Sequence, residues 1–437
     1  MENSWLTAER TIIRSRKAYA HFDRRCNISS CAAYISDPAK VAVHAFYPFI
    51  HYEKDYTKYS ASGGKKPKTR DICYAAHIDR CIYQYYSHLL NELYNERVEN
   101  EGIARAAVAY RTNLHENNIK LAKRAISFIR SHAASYVMIG DFTKFFDNLD
   151  HKYLKRQWCS VLNVGTLPSD HYKVFRSVTH FSIWERSDLL HINGLENTNS
   201  GIKKLNKLSR VLTPEQFQAN KSHITVNKKP FGIPQGSPIS ATLANIYMLD
   251  ADKYISDLVS EYAGLYMRYS DDFIIVLPDV SEDAATETLS MVTSYFNSIP
   301  GLALEPSKTQ YFSCTGKTVS NCGARFNSNA DCSNNEINFL GFSFDGNKVH
   351  IRAKTTSKYY YRMYRKAKTI AANGGYTSSG KRISGKNLYK QYSQRGANAG
   401  NYFTYLNNAV AVFGDDENIM RDTKRHMAKI KRACKKQ

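Results

Sequence analysis

Residues 265–277, with the sequence LYMRYSDDFIIVL, decide the fold of this 437-residue chain. The residues on each side of Tyr269-Ser270-Asp271-Asp272 are mostly apolar, aromatic or β-branched, which predicts two short β-strands. The four residues between them would form the turn of a hairpin. Two carboxylates at the tip of an apolar hairpin repel each other unless a cation binds there, and hard cations such as Mg²⁺ take carboxylate oxygens. A solvated Asp-Asp turn is the competing interpretation.

A second apolar run supplies a third carboxylate. Residues 136–140 (YVMIG) lead directly to Asp141, which predicts a buried strand with an acid at its C-terminal end. Two-metal phosphoryl transfer needs carboxylates from separate strands, around ions roughly 3.5–4 Å apart. Asp141 together with Asp271 and Asp272 would meet that requirement. We predict structural roles, helix-capping or solvated, for the nearby Asp147 and Asp150.

Three sequence blocks carry a family resemblance through their order along the chain. They are DFTKFF at 141–146, GIPQGSPIS at 232–240 and YSDD at 269–272. Together they resemble the palm of reverse transcriptases, and in detail the bacterial branch of group II intron, retron, abortive-infection and defence-associated enzymes. The resemblance covers residues 60–345. It implies an α+β fold of the right-hand polymerase type, with fingers, an RRM-like palm with an antiparallel sheet, and a helical thumb.

The resemblance implies which residues act in catalysis. Asp141, Asp271 and Asp272 would hold two Mg²⁺ ions, with Mn²⁺ as the alternative ion, and Phe142 would lie beside the metals. Asp141 and Asp271 would coordinate directly, whereas Asp272 completes the motif and is the candidate for an outer position. Lys308 matches the palm lysine near the leaving pyrophosphate, and we expect it on a strand over residues 302–312. Ser270 receives no chemistry, as the least constrained residue of its motif.

The resemblance also implies contacts with the substrate. Phe146 would lie under the sugar of the incoming nucleotide, where its ring would clash with a ribose 2′-hydroxyl and favour dNTPs. Gln235 and Gly236 belong to a turn whose glycine lets the backbone approach a ligand closely. The other predicted substrate contacts are Lys68, Arg70, Phe142 and Tyr269, the last beside the primer end.

Two of these assignments have plain alternatives. Phe145 and Phe146 could both be core residues, and we expect at least one of them to be. The lysines of the stretch SASGGKKPKT at 60–69 could belong to a solvated basic loop. Arg70 is the better phosphate ligand, since a guanidinium makes bidentate contacts.

The chain is long enough for more than one core, and we divide it into three regions. Residues 1–60 are predicted to be a helical N-terminal extension. Residues 61–345 would form the fingers and palm, with helices over 79–96 and 102–132, a polar insertion at 165–228 and a loop at 313–335. Residues 346–437 would form a basic helical thumb, interrupted at 373–380.

Charge and composition indicate the kind of partner. The net charge is +22, of which residues 347–437 carry +17, from 21 basic and 4 acidic residues. A segment this basic, interleaved with tyrosines, favours a nucleic-acid partner. The nine cysteines form no CxxC pair and are expected to be reduced thiols in a cytoplasmic bacterial protein. No apolar run approaches the length of a membrane span, so no membrane partner is expected.

The resemblance implies an RNA-directed DNA polymerase that makes cDNA from a bound noncoding RNA, using dNTPs, in antiphage defence. The stretch after the palm is too short for an RNase H or integrase domain, and the Val-Thr-Gly signature of retron thumbs is missing. Both absences favour a stand-alone defence-associated enzyme of the unknown-group type. One alternative is a template-independent or protein-primed DNA polymerase of the abortive-infection kind. A second is a non-catalytic, maturase-like RNA-binding protein. Homo-oligomerisation remains open.

Overall fold

The computed structural model describes residues 2–59, 65–326, 332–376, 380 and 385–435. The chain folds into two compact units, each assembled from separate segments. Unit 1 consists of Met1–Arg111, Phe142–Tyr254 and Tyr295–Ala303, and unit 2 of Thr112–Asp141, Ile255–Ser294 and Leu304–Gln437. Both units contain helices and sheets, which confirms the α+β class. The three predicted domain boundaries stay a prediction.

Helices are the commonest elements of the described chain. They are α1 (Glu2–Thr7), α2 (Glu9–Ser15), α3 (Ala32–Ile35), α4 (Pro38–Ala42), α5 (His77–Asn100), α6 (Asn118–Arg130), α7 (Phe145–Asn148), α8 (His151–Leu162), α9 (Ser169–Thr179), α10 (Arg186–Ile192), α11 (Asn199–Leu205), α12 (Pro214–Ala219), α13 (Ser240–Tyr247), α14 (Leu249–Ser260), α15 (Glu282–Ser298), α16 (Ala353–Ala372), α17 (Gly385–Tyr392), α18 (Tyr402–Phe413) and α19 (His426–Lys435). Among them, no helix is both long and apolar enough to cross a lipid bilayer.

The described strands form three sheets. The strands are β1 (Phe49–Tyr59), β2 (Lys65–Tyr74), β3 (Ala134–Gly140), β4 (Ser182–Glu185), β5 (Thr225–Val226), β6 (Leu265–Tyr269), β7 (Asp272–Pro278), β8 (Gln310–Thr315), β9 (Thr318–Asn321), β10 (Ile337–Phe339), β11 (Phe342–Phe344) and β12 (Val349–Ile351). Unit 1 contains the sheet β2-β1-β4-β5, and unit 2 contains the sheets β6-β7-β3-β8-β9 and β10-β11-β12.

The five-stranded sheet of unit 2 is antiparallel, as predicted for the palm. The neighbouring strands β3 and β7 are nearly unbroken apolar runs in the sequence, because both of their faces are buried. Residues 137–139 of β3 and residues 273–277 of β7 are all buried. The predicted strand before Asp141 and the predicted hairpin are therefore confirmed. The hairpin turn is tighter than expected, because Tyr269 and Asp272 pair across it and leave two residues at the tip.

The sheet of unit 1 corrects the prediction of a helical N-terminal extension and includes part of the 165–228 insertion. The N-terminal region is helical only as far as Ala42, and β1 starts at Phe49, within the segment predicted to be helical. The insertion at 165–228 adds strands as well as helices, since β4 pairs in parallel with β1. It also supplies the fully buried Trp184, whose ring packs 5.2 Å from Phe22 and 5.4 Å from Phe217. The insertion is thus part of the unit 1 core.

Three further segments differ from the predicted elements. The helix expected over 102–132 is confined to Asn118–Arg130, because Gly102 adopts a φ of 72° and Asn117 caps a new helix start. The predicted loop at 313–335 contains the rest of β8 and all of β9, and its residues 327–331 lie outside the described residues. The expected lysine strand begins only at Gln310. After Ile351 the described chain is helical, as predicted, with a turn at 373–376.

Candidate active site

The strand register of unit 2 brings two predicted catalytic acids together. Gly140, at the end of β3, pairs with Phe273 of β7. Continuing this antiparallel register by one residue brings Asp141 opposite Asp272. Directly opposite residues of an antiparallel pair place their side chains on the same face of the sheet. Backbone pairing therefore places the two carboxylates on one face.

A side-chain contact adds Lys308 to the two acids. The Lys308 ammonium donates to Oδ2 of Asp141 and forms an ion pair with it. The Glu305 amide donates to the Asp141 carbonyl oxygen at 2.8 Å, and the Lys308 amide donates to the Glu305 carbonyl oxygen at 2.9 Å. Lys308 therefore lies in a turn before β8, and our expectation of a strand at this position was wrong. The turn is anchored to the end of β3.

The clustered carboxylates favour a bound proton. Burial, together with the charges of Asp271 and Asp141, raises the pKa of Asp272 to about 7 from 3.8, although its side chain reaches solvent. Burial also raises the pKa of Asp141, with Asp271 acting in the same direction and the Lys308 ammonium opposing it. Like charges in one site disfavour simultaneous ionisation. A divalent cation would relieve this repulsion.

One oxygen of Asp141 fits a metal ligand. Oδ1 is buried and accepts no hydrogen bond within the part of the chain that the structure describes. Leaving a buried acceptor without a partner costs about 1–3 kcal/mol, and more when it is charged. Carboxylate oxygens are the ligands that Mg²⁺ prefers. The donor set of Asp141, Asp271 and Asp272 therefore fits a hard divalent cation.

The tip of the hairpin is rigidly held. Ser270 is buried and has a φ of 63°, in the left-handed region that costs a non-glycine residue free energy. The fully buried Arg268 donates through Nη1 to the Ser270 carbonyl oxygen at 2.9 Å. Our description of Ser270 as the least constrained residue was therefore wrong. Arg268 was missed, although a charged residue inside an apolar strand was a visible signal.

The glycine before Asp141 is required by close packing. A Cβ atom on Gly140 would lie 2.6 Å from Cε1 of Phe273 and closer still to Cζ. The Phe273 ring is fully buried, and residues 274–277 after it are buried too. The ring therefore lies inside the core of the sheet. The ring lies next to Asp272 in sequence. Gly140 thus allows the two acid-bearing strands to approach each other.

The Gln235 loop of unit 1 is fixed to the end of β2. The Cys73 amide donates to the Gln235 carbonyl oxygen at 2.8 Å. Gly236 has a φ of 109°, and a Cβ there would collide with the Cys73 carbonyl oxygen. The Gln235 side chain donates through Nε2 to Oδ1 of Asp147 at 3.1 Å. Asp147, predicted to be merely structural, therefore orients the amide that we expect to contact the nucleotide.

Comparison with known proteins identifies the family. Residues 64–344 match the model of the reverse transcriptase (RNA-dependent DNA polymerase) family. The chain belongs to the reverse transcriptase family. This membership and the antiparallel palm sheet confirm the predicted fold class, and reverse transcriptase domains generally use divalent metal ions. No curated protein matches the sequence.

Similar solved structures are distant from this reverse transcriptase. Apo telomerase from Candida tropicalis, truncated from its C-terminal domain, is 13% identical with a TM-score of 0.41, covering 75% of this chain and 60% of the telomerase. Telomerase from Candida albicans, in complex with a TWJ fragment of telomeric RNA, is 11% identical with a TM-score of 0.40, covering 95% and 71%. The chain thus spans about 60% of the first of these telomerases. Nothing about activity follows from similarities this distant.

The predicted substrate residues of the reverse transcriptase lie in different environments. Phe145 is buried and Phe146 is half-buried, as expected if only one of them is core. The Phe142 ring is buried against Phe145 and Phe296, so any ligand contact of Phe142 must use its main chain. Arg70 is exposed on β2. None of these environments tests a contact with substrate, so the predicted substrate roles stay predictions.

Three other predicted residues complete the description. Lys68 lies on β2 and not in the basic loop of the alternative interpretation, and its side chain lies outside the described residues. Tyr269 is half-buried at the end of β6. Asp150 accepts from the Tyr153 amide at 2.7 Å at the start of α8, which confirms its predicted capping role.

Proposed function

We propose that this chain is an RNA-directed DNA polymerase that copies a bound noncoding RNA into cDNA by two-metal nucleotidyl transfer. One observation carries the proposal: Asp141 directly follows the central strand of an antiparallel sheet, with Asp272 opposite it in register and the Lys308 ammonium paired with its carboxylate. This arrangement presents acids from two separate strands on one face. Family membership over residues 64–344 supports the same reaction class.

The residues would divide the work of the reaction. Asp141, Asp271 and Asp272 would hold the two Mg²⁺ ions, with Oδ1 of Asp141 as a buried acceptor that has no hydrogen bond among the described residues. When bound, such ions lower the pKa of the attacking hydroxyl and stabilise charge on the transferring phosphate. Lys308 would carry positive charge toward the leaving pyrophosphate. Its ammonium is already held beside Asp141 by the ion pair.

Contacts in unit 1 would select the nucleotide. The Gln235 amide, oriented by Asp147, would contact the incoming nucleotide or the template. The half-buried Phe146 directly precedes Asp147, and its ring would exclude a ribose 2′-hydroxyl. Arg70 and Lys68 on β2 would bind the triphosphate, and Tyr269 would pack beside the primer end.

The basic C-terminal region would hold the nucleic acid. Helix α16 buries Tyr359 and Met363 but exposes Tyr361 and Tyr364 among several lysines and arginines. Exposed aromatic rings among cations suit base stacking and phosphate contact. We place this activity in the bacterial cytoplasm and in antiphage defence, in line with the resemblance to stand-alone defence-associated enzymes.

A single preparation tests the proposal. The full chain is purified with co-bound nucleic acid, which is sequenced, and then supplied with Mg²⁺ and labelled dNTPs with and without RNase pretreatment. We expect incorporation that RNase abolishes and that an Asp271→Ala/Asp272→Ala variant lacks. Incorporation that survives RNase would overturn the templated reaction in favour of template-independent synthesis. Incorporation no greater than that of the variant under all conditions would favour a non-catalytic RNA-binding protein.

The defence role needs a separate test in cells. Bacteria carrying the gene with its flanking DNA are challenged with a panel of phages, and the double aspartate variant is the control. We expect protection only with the active chain. Equal protection by the variant would refute a role for DNA synthesis in defence.

A further inference from the structure

Three cysteines of unit 1 converge far from one another in sequence. Their Sγ atoms, on Cys26, Cys31 and Cys81, all lie within 4.8 Å of one another. Across the described ranges, no other three His, Cys, Asp or Glu side chains bring their ligand atoms this close. Cys26 and Cys31 are half-buried, whereas Cys81 is fully buried. The group is thus reachable from solvent on one side and enclosed on the other.

The chain around Cys26 and Cys31 forms a closed loop. The Ser30 amide donates to Oδ1 of Asn27 at 3.1 Å, and the Asn27 amide donates to Oγ of Ser30 at 3.2 Å. The Ser30 hydroxyl also donates to the Asn27 carbonyl oxygen at 2.9 Å. These bonds set the directions of the cysteines that flank the loop. Local hydrogen bonding therefore orients two of the three sulfur atoms.

A separate set of contacts fixes this loop against α5, which carries Cys81. Asp23 accepts from the His77 and Ile78 amides at 2.9 and 2.8 Å at the start of α5. Within the loop itself, between Cys26 and Cys31, the fully buried Ile28 donates its amide to Oγ of Ser15 at 2.9 Å. The third sulfur is therefore held in place independently of any contact between the cysteines.

A buried cation lies beside the sulfur atoms. Arg80 donates through Nη2 to Sγ of Cys81 at 3.6 Å and to the Cys26 carbonyl oxygen at 3.3 Å. Only 3% of Arg80 is exposed. Three thiolates around a divalent ion carry one net negative charge, which a single guanidinium offsets. A buried charge is normally retained only when it is paired.

We propose that Cys26, Cys31 and Cys81 bind a zinc ion. Thiolate ligands select soft or borderline ions such as Zn²⁺ over Mg²⁺. Three thiolates leave one position of a tetrahedral zinc ion, which water would fill. Binding would release the three thiol protons to solvent and involves no change of oxidation state. The ion would fasten the loop at residues 26–31 to α5, and this inference is independent of the proposed polymerase activity.

Metal content tests the site directly. The full chain, purified without chelators, is analysed by inductively coupled plasma mass spectrometry together with Cys26→Ser and Cys31→Ser variants. The matched control is Cys159→Ser, a half-buried cysteine of α8 outside the group. We expect about one zinc ion per chain in the native protein and the control, and a loss of at least about fivefold in the two variants. Zinc retained by either variant, or absent from the native protein after zinc addition, would overturn the proposal.

Two measurements on the unmodified chain guard against a variant that fails to fold. Cobalt replacing zinc should give thiolate-to-cobalt charge-transfer bands and the visible absorption of a tetrahedral site. Zinc should also slow alkylation of Cys26 and Cys31, mapped by peptide mass spectrometry, without slowing that of Cys159. Octahedral cobalt spectra, equal alkylation with and without zinc, or a disulfide between two of the three cysteines would each refute the site.

Discussion

Replacing Gly140 by alanine tests whether close packing of β3 on β7 positions the acids. The added Cβ would lie 2.6 Å from Cε1 of Phe273, about 0.8 Å inside the 3.4 Å of ordinary contact, and nearer still to Cζ. Because the ring is fully buried, it cannot turn outward without displacing its strand. Overpacking of this kind costs about 1–3 kcal/mol. Since alanine is otherwise better than glycine in a strand by about 0.5–1 kcal/mol, we expect a net loss of about 1–2 kcal/mol.

A second substitution makes the reasoning specific. Phe273→Leu shortens the side chain that the new Cβ meets, and alone it should cost less than the roughly 3–5 kcal/mol of a Phe→Ala change. The double variant Gly140→Ala/Phe273→Leu should lose less free energy of unfolding than the sum of the two single losses, by at least about 1 kcal/mol. The double variant should also recover part of the dNTP incorporation that Gly140→Ala loses, because the strand bearing Asp272 can return toward its place.

Urea unfolding and Mg²⁺-dependent incorporation of labelled dNTPs measure both effects. Gly165→Ala is the matched control, since a Cβ there meets nothing within 4 Å. It should leave stability and incorporation within error of the native chain. Strictly additive unfolding free energies, or a Gly140→Ala variant as stable and active as Gly165→Ala, would refute the packing argument.

Three further predictions concern the active site. The pKa of Asp272 is raised in the folded chain to about 7 from 3.8, so the free energy of unfolding of the metal-free chain should fall as pH rises from about 4 to 7. The apparent Mg²⁺ affinity should fall roughly tenfold from pH 8 to pH 6, because protonation of the carboxylate competes with the ion. Asp272→Asn should flatten both profiles in thermal unfolding and calorimetric titration, and an unchanged stability profile would contradict the assignment. Phe146→Ala should raise ribonucleotide incorporation relative to dNTPs while Phe145→Ala mainly lowers stability; unaltered sugar selectivity would show that Phe146 is the wrong ring. Gly236→Ala should raise the KM for dNTPs at least about tenfold, because strain at a positive φ and the collision with β2 displace the Gln235 loop; an unchanged KM would show that the loop does not contact the nucleotide.

Local patterns predicted the central elements of the palm well. The strand ending at Asp141 and the hairpin around Asp271 were visible because buried strands read as unbroken apolar runs bounded by polar residues. The helix predicted over 79–96 lies within α5. The segments that differed depend on long-range pairing. Strand β1 pairs in parallel with β4, which lies more than a hundred residues away, and no local pattern encodes that partnership.

In the active site, too, local sequence patterns revealed some residues, whereas others depend on long-range contacts. The identities of the three acids came from motif residues, but the partners that orient them did not. Arg268 acts through a main-chain carbonyl at the hairpin tip, and Asp147 acts through a side-chain amide 88 positions along the chain. The charge of Arg268 inside an apolar strand was a signal that we did not use, whereas no sequence spacing could reveal the Asp147 contact. The group of Cys26, Cys31 and Cys81 was missed for the same reason, because fifty residues and a sheet hairpin separate its last two members.

The register of β3 has a consequence for how this catalytic region can vary. Asp141 lies opposite Asp272 because of the pairing of β3 with β7, and β8 pairs with the same stretch of backbone on the other side. Apart from Gly140, side chains along β3 can therefore change in size and chemistry while the strand pairings survive. A one-residue insertion or deletion between Ala134 and Gly140 would turn Asp141 to the opposite face, away from both Asp272 and Lys308. Homologous enzymes should accordingly tolerate substitution along this strand much better than any change in its length.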